Sequence, residues 1–208
     1  MSEAPALPTL QGRRCTLRAL RPADAPALQR HADDPAVAHN LFDGWPQPYT
    51  LADAEWWCGE GHRQPEFGFV WGIEAGAPGA PGASGAAEVI GCISVEPQRG
   101  LWASSAVIGY WIGQAHWRRG ITSEALRLVT AWAWQALPQT MRLWMPIYAR
   151  NAGSQAVARA AGYRLEGTLP LAIRKDGFAI DAVQYGLVRP GAAAGAMRLP
   201  IMPAPPEP

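Results

Sequence analysis

The stretch AVIGYWIGQAHWRRGITSEAL, residues 106–126, decides the reading of this chain. Its first eight residues, 106–113, are almost wholly apolar, as expected of a central strand covered on both faces. A short connection holding Trp117, Arg118, Arg119 and Gly120 follows, and over residues 120–134 the positions Ala125, Leu128, Val129 and Trp132 fall at helical spacing. A buried strand entering a helix through a short glycine-bearing loop can build an anion site. The free amides of a first helical turn converge, the macrodipole favours negative charge there, and Gly120 leaves the backbone open to close approach. Arg118 and Arg119 add charge-assisted contacts to a phosphate. Taken alone, the segment reads equally as an ordinary strand-to-helix turn with two solvated arginines.

Working outward, residues 141–149 return as a strand, and residues 151–161 read as a short helix closed by Gly162 at the usual left-handed cap position. Asn151 and Ser154 open that helix, where both can face the same sheet edge as the anion loop; taken singly, Asn151 reads rather as a plain N-cap and Ser154 as a residue merely tolerated in the first turn. Residues 163–174 and 178–188 pair as a hairpin around Lys175, Asp176 and Gly177, since Asp-Gly suits the positive backbone angles of a tight turn. Upstream, residues 14–20 alternate as a strand, Pro22, Ala23 and Asp24 open a helix holding Leu28 and His31, and residues 34–41 suggest a second short helix. Thr50 and Asp53 form a capping-box pattern before a helix carrying Trp56 and Trp57. Phe67, Phe69, Trp71 and Ile73 then alternate as a strand whose neighbour spans residues 89–95. The Gly, Ala and Pro-rich loop over residues 75–87 is expected to be mobile, and residues 190–208 form a tail outside a single domain of residues 1–189.

Composition narrows the function. A chain of 208 residues with 49% hydrophobic content supports one domain with a real core. The 18 basic and 17 acidic residues are spread along it, so no positive stripe marks a nucleic-acid binder. No window reaches transmembrane length and no signal peptide is visible, so a cytoplasmic protein without membrane association is expected. Cys15, Cys58 and Cys92 are odd in number and unpaired in spacing, which argues against a disulfide framework. Cys58 and His62 stand four apart on one expected helix, but no second ligand pair lies near them in sequence, so no metal is expected.

Together these residues resemble the GNAT superfamily of N-acetyltransferases, and within it the ribosomal-protein N-terminal acetyltransferases. The landmarks are IGYWIG (108–113), WRRGITSEAL (117–126), RNAGSQAVARAAGYRLEGTL (150–169) and RKDGFAIDAVQYGLV (174–188), in the family's order. The resemblance implies a mixed α/β (α+β) GNAT fold of about seven strands with flanking helices and a splayed strand pair for acetyl-CoA. It also implies transfer of acetyl from acetyl-CoA, as co-substrate, to a primary amine on a protein N-terminus or a small molecule, by a monomer or homodimer. The family's phosphate loop reads Gln or Arg, two variable residues, Gly, one variable residue, then Gly or Ala. Here Trp117 and Thr122 depart from that pattern and Gly120 keeps it.

By the same resemblance, pantetheine pairs with backbone near Trp111, Ile112 and Gly113. The phosphates meet Trp117, Arg118, Arg119, Gly120, Ile121 and Thr122, with Asn151 and Ser154 completing the cofactor side. The family's catalytic Tyr falls on Ala158, which shifts protonation of the leaving thiolate to Ser154, with Asn151 orienting cofactor or water. Glu96 or Ser94 is the candidate base, and the Ile112 amide the oxyanion donor. Residues 41–49, with His39 and Asp43, Trp45 and Tyr49, are expected to wall the acceptor side. Because Ala158 replaces the Tyr, a non-catalytic acyl-CoA-binding module is the alternative.

Overall fold

The computed structural model describes residues 7–76 and 88–192. Its strands are β1 (Leu10–Gln11), β2 (Cys15–Arg18), β3 (Phe69–Ala75), β4 (Val89–Pro97), β5 (Ser105–Ile112), β6 (Arg142–Tyr148), β7 (Arg164–Lys175) and β8 (Phe178–Val188). The helices are α1 (Ala25–Ala32), α2 (Pro35–Ala38), α3 (Leu51–Gly59), α4 (Ile121–Ala136) and α5 (Ala152–Ala160). One sheet holds all eight strands in the order β1-β2-β3-β4-β5-β6-β8-β7. The seven expected strands are present, and β1 is an edge strand too short to show a period in the sequence.

Neighbouring strands are antiparallel except β5 and β6, which run parallel and pair only at Ser105 with Arg142, Ala106 with Leu143 and Val107 with Trp144. Beyond Val107 the two strands part. Pro146 lies just past the last bridge and cannot donate to a ladder, which suits a strand leaving its neighbour. The expectation of a β5 covered on both faces fails here, because Gly109 is exposed where the sheet opens.

The sheet is buried on two sides by different helices. On one face α4 inserts Ile121, Ala125, Leu126, Val129 and Ala133, at helical spacing, against Ile90, Ile93 and Val95 of β4. On the other, Leu28 of α1 and Cys58 of α3 meet Val70, Cys92 and Trp111. Each fully buried aliphatic side chain contributes about 1.5–3 kcal/mol relative to exposure. Arg189, one residue past β8, closes the end of α4 by donating to the carbonyls of Trp134 and Leu137, both at 2.7 Å.

Local sequence rules place the remaining boundaries. Thr50 Oγ1 accepts the Asp53 amide at 3.3 Å and Asp53 accepts the Thr50 amide at 2.8 Å, completing the expected capping box of α3. Gly162 ends α5 at φ 91°, and Asp176 and Gly177, at φ 52° and 80°, form a two-residue turn. Lys175, expected in that turn, instead ends β7 opposite Phe178 with its side chain buried. The helix expected over residues 34–41 shortens to α2, opened by Pro35 and capped by the Asp34 carboxylate. His62 leaves the helix of Cys58 for the following 3₁₀ turn, where its Nδ1 lies 2.7 Å from the Trp57 carbonyl. The expectation of a mobile loop falls on residues 77–87, and most of the expected tail on residues 193–208, outside the described residues. Among the described residues, no helix is long and apolar enough to cross a membrane.

Candidate active site

Where β5 and β6 separate, they leave a cavity of about 270 Å³. Its walls are residues 108–110 of β5, 145–148 of β6, Asn151 and Ser154 at the start of α5, residues 40–42 after α2, and Ile173 of β7. The backbone of β5 faces this gap in alternation. The Gly113 amide donates to the Ile90 carbonyl of β4 at 2.9 Å, so odd-numbered residues bond β4 while Ile108, Tyr110 and Ile112 turn their backbone groups toward β6. Of Trp111, Ile112 and Gly113, only Ile112 thus offers its amide to the gap. Its carbonyl accepts Trp117 Nε1 at 2.8 Å. Trp111 packs instead between β5 and the α1–α3 layer, edge-on to Trp45.

The connection from β5 to α4 is held in a compact form. Arg118 and Gly120 both take left-handed backbone angles, φ 61° and 72°. The first α-helical bond runs from the Glu124 amide to the Gly120 carbonyl, so the amides of Ile121, Thr122 and Ser123 lack a helical acceptor. Glu124 ties this turn to the first hairpin, accepting the Arg14 amide at 2.6 Å and the Cys15 amide at 3.2 Å. Arg118 and Arg119 are exposed beside these donors. A Cβ on Gly120 would meet nothing nearer than Arg14, at 3.5 Å, so this glycine serves the backbone angle rather than clearance from the protein. The loop therefore fits a diphosphate by three free amides, two guanidinium groups and the positive end of α4.

Asn151 and Ser154 reach the cavity by different means. Asn151 Oδ1 accepts the Ser154 amide at 3.0 Å, the N-cap role, while the residue also lines the gap. Ser154 Oγ donates to Tyr110 Oη at 2.8 Å, and Tyr110 Oη donates to the Ser154 carbonyl at 3.1 Å. Burial raises the Tyr110 phenol to about 12, against a smaller downward pull from the Ser154 bond. In the sequence Tyr110 is one interior position of an apolar strand. Its one signal is chemical, since a buried tyrosine hydroxyl needs a partner. Ala158, fully buried in the core, offers no hydroxyl.

Glu96 and Ser94 stand on β4, outside the cavity wall. Glu96 Oε1 accepts Gln98 Nε2 at 3.0 Å, and Ser94 Oγ lies 3.5 Å from the Gly109 carbonyl. Residues 40–42 form another wall of the cavity, with Tyr148 Oη donating to the Leu41 carbonyl at 3.1 Å and Arg150 Nη2 to the His39 carbonyl at 2.8 Å. Trp45 and Tyr49 stack at 4.9 Å, and Tyr49 belongs to the α1–α3 core, so these two support the wall from behind. Burial pushes the Cys58 and Cys92 thiols up to about 12, which leaves them protonated and inert.

A parallel strand pair that opens beside a helix N-terminus defines an α/β domain shaped for an extended, phosphate-bearing ligand. Residues 14–164 match the acetyltransferase (GNAT) domain, and the chain belongs to that family. It is 33% identical over 86 residues to the "Probable N-acetyltransferase YjcK" of Bacillus subtilis, covering 41% of this chain and 47% of YjcK. The chain thus spans about half the length of the curated relatives it matches. Two solved structures share the fold: RimL, a ribosomal L7/L12 α-N-protein acetyltransferase in complex with coenzyme A, and Mycobacterium smegmatis RimJ in complex with CoA-disulfide. The first superposes at TM-score 0.68 with 19% identity over 87% of this chain and 98% of RimL. The second does so at 0.69 with 22% identity over 87% and 86%.

Proposed function

We propose that this protein acetylates a primary amine, on a protein N-terminus or a small molecule, using acetyl-CoA. The observation that carries this reading is the cavity between the parting strands, lined by Tyr110 and Ser154, with Ile112 and the connection into α4 following on from the same strand. Bound acetyl-CoA supplies the activated acyl group. The free amides of α4 with Arg118 and Arg119 hold phosphate, and the free edge of β5 offers its amide and carbonyl groups to an extended chain. Ile112 presents its N–H where negative charge develops on the acyl oxygen. Ser154, hydrogen-bonded to the protonated Tyr110 phenol, would supply its hydroxyl proton to the departing thiolate on turning away from Tyr110.

The acceptor must lose a proton to attack. Free α-amino groups titrate near 8 and Lys near 10.4, and an apolar mouth eases the loss. Leu41, Phe42, Met145, Pro146 and Ile173 supply that mouth, and none of the described residues lining the cavity is acidic. This favours an amine with apolar neighbours over a polyamine. Glu96, on the neighbouring strand and outside the cavity wall, would have to take the proton through water. A Tyr110–Ser154 pair in the gap also favours catalysis over a non-catalytic acyl-CoA binder despite Ala158.

A panel of α-amino peptides and small amines incubated with acetyl-CoA, with release of free thiol followed, tests the reading. Thiol release that depends on the amine is expected. Tight CoA binding with no release across the panel would establish the non-catalytic alternative.

A further inference from the structure

Three side chains from distant parts of the chain meet beyond the Gly113 end of β5. His31 comes from α1, Glu88 directly precedes β4, and His116 ends the 3₁₀ turn over Gln114–His116. One ligand atom from each lies within 4.8 Å of the others. None of the three lines the acyl-transfer cavity. We propose that His31, Glu88 and His116 bind one divalent first-row transition ion of the zinc class.

The geometry favours a ligand set over a chance cluster. His116 Nδ1 is buried and has no hydrogen-bond partner, although the ring is otherwise packed edge-on to His31 with centroids 5.1 Å apart. A buried lone pair without a donor is suited to a metal. His31 Nε2 lies 3.1 Å from Glu88 Oε1, close to the ~3.3 Å between two ligand atoms of tetrahedral zinc at about 2.0–2.1 Å. All three ligand atoms lie within 4.8 Å of one another, and Glu88 is the most exposed of the three. Arg30 Nη2 holds the other Glu88 oxygen at 2.6 Å, the place of an outer partner that orients a ligating carboxylate.

Chemistry selects the ion. Two imidazoles and one carboxylate suit zinc, cobalt or nickel, whereas calcium and magnesium require mostly oxygen. Gly113 fits the arrangement, since a Cβ there would stand 2.5 Å from His31 Nδ1. An ion at this point ties α1 and the start of β4 to the segment that leads into Trp117–Gly120.

Nothing in the linear order of residues marks the site, because Glu88 is 57 residues from His31 and the third ligand lies on another loop.

The test uses the full chain, stripped with chelator and titrated with Zn²⁺ by calorimetry and with Co²⁺ by visible absorption. One ion per chain is expected, with strong Co²⁺ bands of four- or five-fold coordination. Since even outer-shell partners carry about 10–100-fold in affinity, Glu88→Gln and His116→Ala should each cost at least that much. His39→Asn, outside the cluster, should bind as the parent does. Glu88 is exposed, so its conservative variant keeps the test decisive even if His116→Ala fails to fold. Absence of saturable Zn²⁺ binding, a preference for Mg²⁺ or Ca²⁺, or unchanged affinity in Glu88→Gln overturns the proposal, leaving a hydrogen-bonded His–Glu cluster.

Discussion

Asp43 and Asp176, 133 residues apart, meet where the last hairpin closes on the segment ahead of α3: the Asp43 carboxylate accepts the Asp176 backbone N–H at 2.7 Å. Arg174 Nε at 3.4 Å and Lys175 Nζ at 4.0 Å face the same carboxylate. This contact fastens the hairpin, which carries Ile173, beside residues 40–42, and all four residues line the cavity. Asp43→Ala removes that clasp. The lost hydrogen bond is worth about 1 kcal/mol, and the exposed Arg174 pair adds little. The KM for the amine should therefore rise about 5–10-fold, with the Kd for acetyl-CoA unchanged. Equal weakening of both substrates would show that the clasp serves the whole fold.

Tyr110 and Ser154 form one unit, so neither hydroxyl should be replaceable without loss. Tyr110→Phe should lower kcat about 10-fold or more while leaving acetyl-CoA affinity within about twofold, because a thiol of pKa ~8.5 departs without full protonation. Ser154→Ala should do the same, and the double variant should be little worse than either. The pH dependence follows from burial, which raises the Tyr110 pKa from 10.0 to about 12. Below pH 10 the phenol is protonated in folded and unfolded chains alike and stability is unaffected. Between 10 and 12 the unfolded chain has lost the proton that the folded one keeps, so stability falls as pH rises. Tyr110→Phe should flatten that limb in melting curves recorded against pH.

Arg18, Asp24 and Glu74 form the most buried ion network among the described residues. Arg18 holds both Asp24 oxygens at 2.7 Å and Glu74 at 2.5 Å, with Arg18 and Asp24 side chains no more than 10% exposed. Burial by itself raises the Asp24 pKa, and the Arg18 guanidinium with the Arg21 amide outweighs it, so the net direction is downward. Stability from this carboxylate is thus full above the ordinary Asp range near 3.9 and is lost as pH falls below it. Asp24→Asn strands a buried cation and should cost about 3 kcal/mol at pH 7. Denaturant curves at pH 7 and pH 3 check this, and the gap between parent and variant should narrow at the lower pH.

How much of this is readable in the sequence depends on whether the cause is local. The Thr50–Asp53 capping box, the Gly162 cap and the Asp176–Gly177 turn act within a few residues, and each stands where its residues predict. The connection from β5 through Gly120 into α4 is equally legible, because strand, glycine and helix are consecutive. Contacts set by register are not. Tyr110 meets Ser154 only because β5 and α5 face each other across the gap, and the apolar period of residues 106–113 shows no trace of that. The alternation that turns Ile112 toward the gap, and Trp111 and Gly113 toward β4, likewise comes from pairing. The acceptor wall falls between: residues 41 and 42 line the cavity as expected, whereas Trp45 and Tyr49 go into the core.

Arg118 and Gly120 offer the sharpest separation of fold from binding, since both adopt left-handed angles, φ 61° and 72°, and only one is a glycine. A side chain at such an angle costs roughly 1–2 kcal/mol. Gly120→Ala has room, with Arg14 Nε the nearest atom at 3.5 Å, so its cost is conformational. It should lower stability by about 1 kcal/mol and, by shifting the first amides of α4, weaken acetyl-CoA binding about 10-fold. Arg118→Gly should do the opposite to the fold, stabilising it by about 0.5–1 kcal/mol through release of the strained angle. It should nonetheless weaken acetyl-CoA binding, because a guanidinium at the phosphate has gone, and more so at low salt, where that charge counts most. Melting temperature and calorimetric Kd, measured on both variants, should then move together for Gly120→Ala and apart for Arg118→Gly. An Arg118→Gly protein that binds acetyl-CoA as tightly as the parent at low salt would take Arg118 out of the phosphate site.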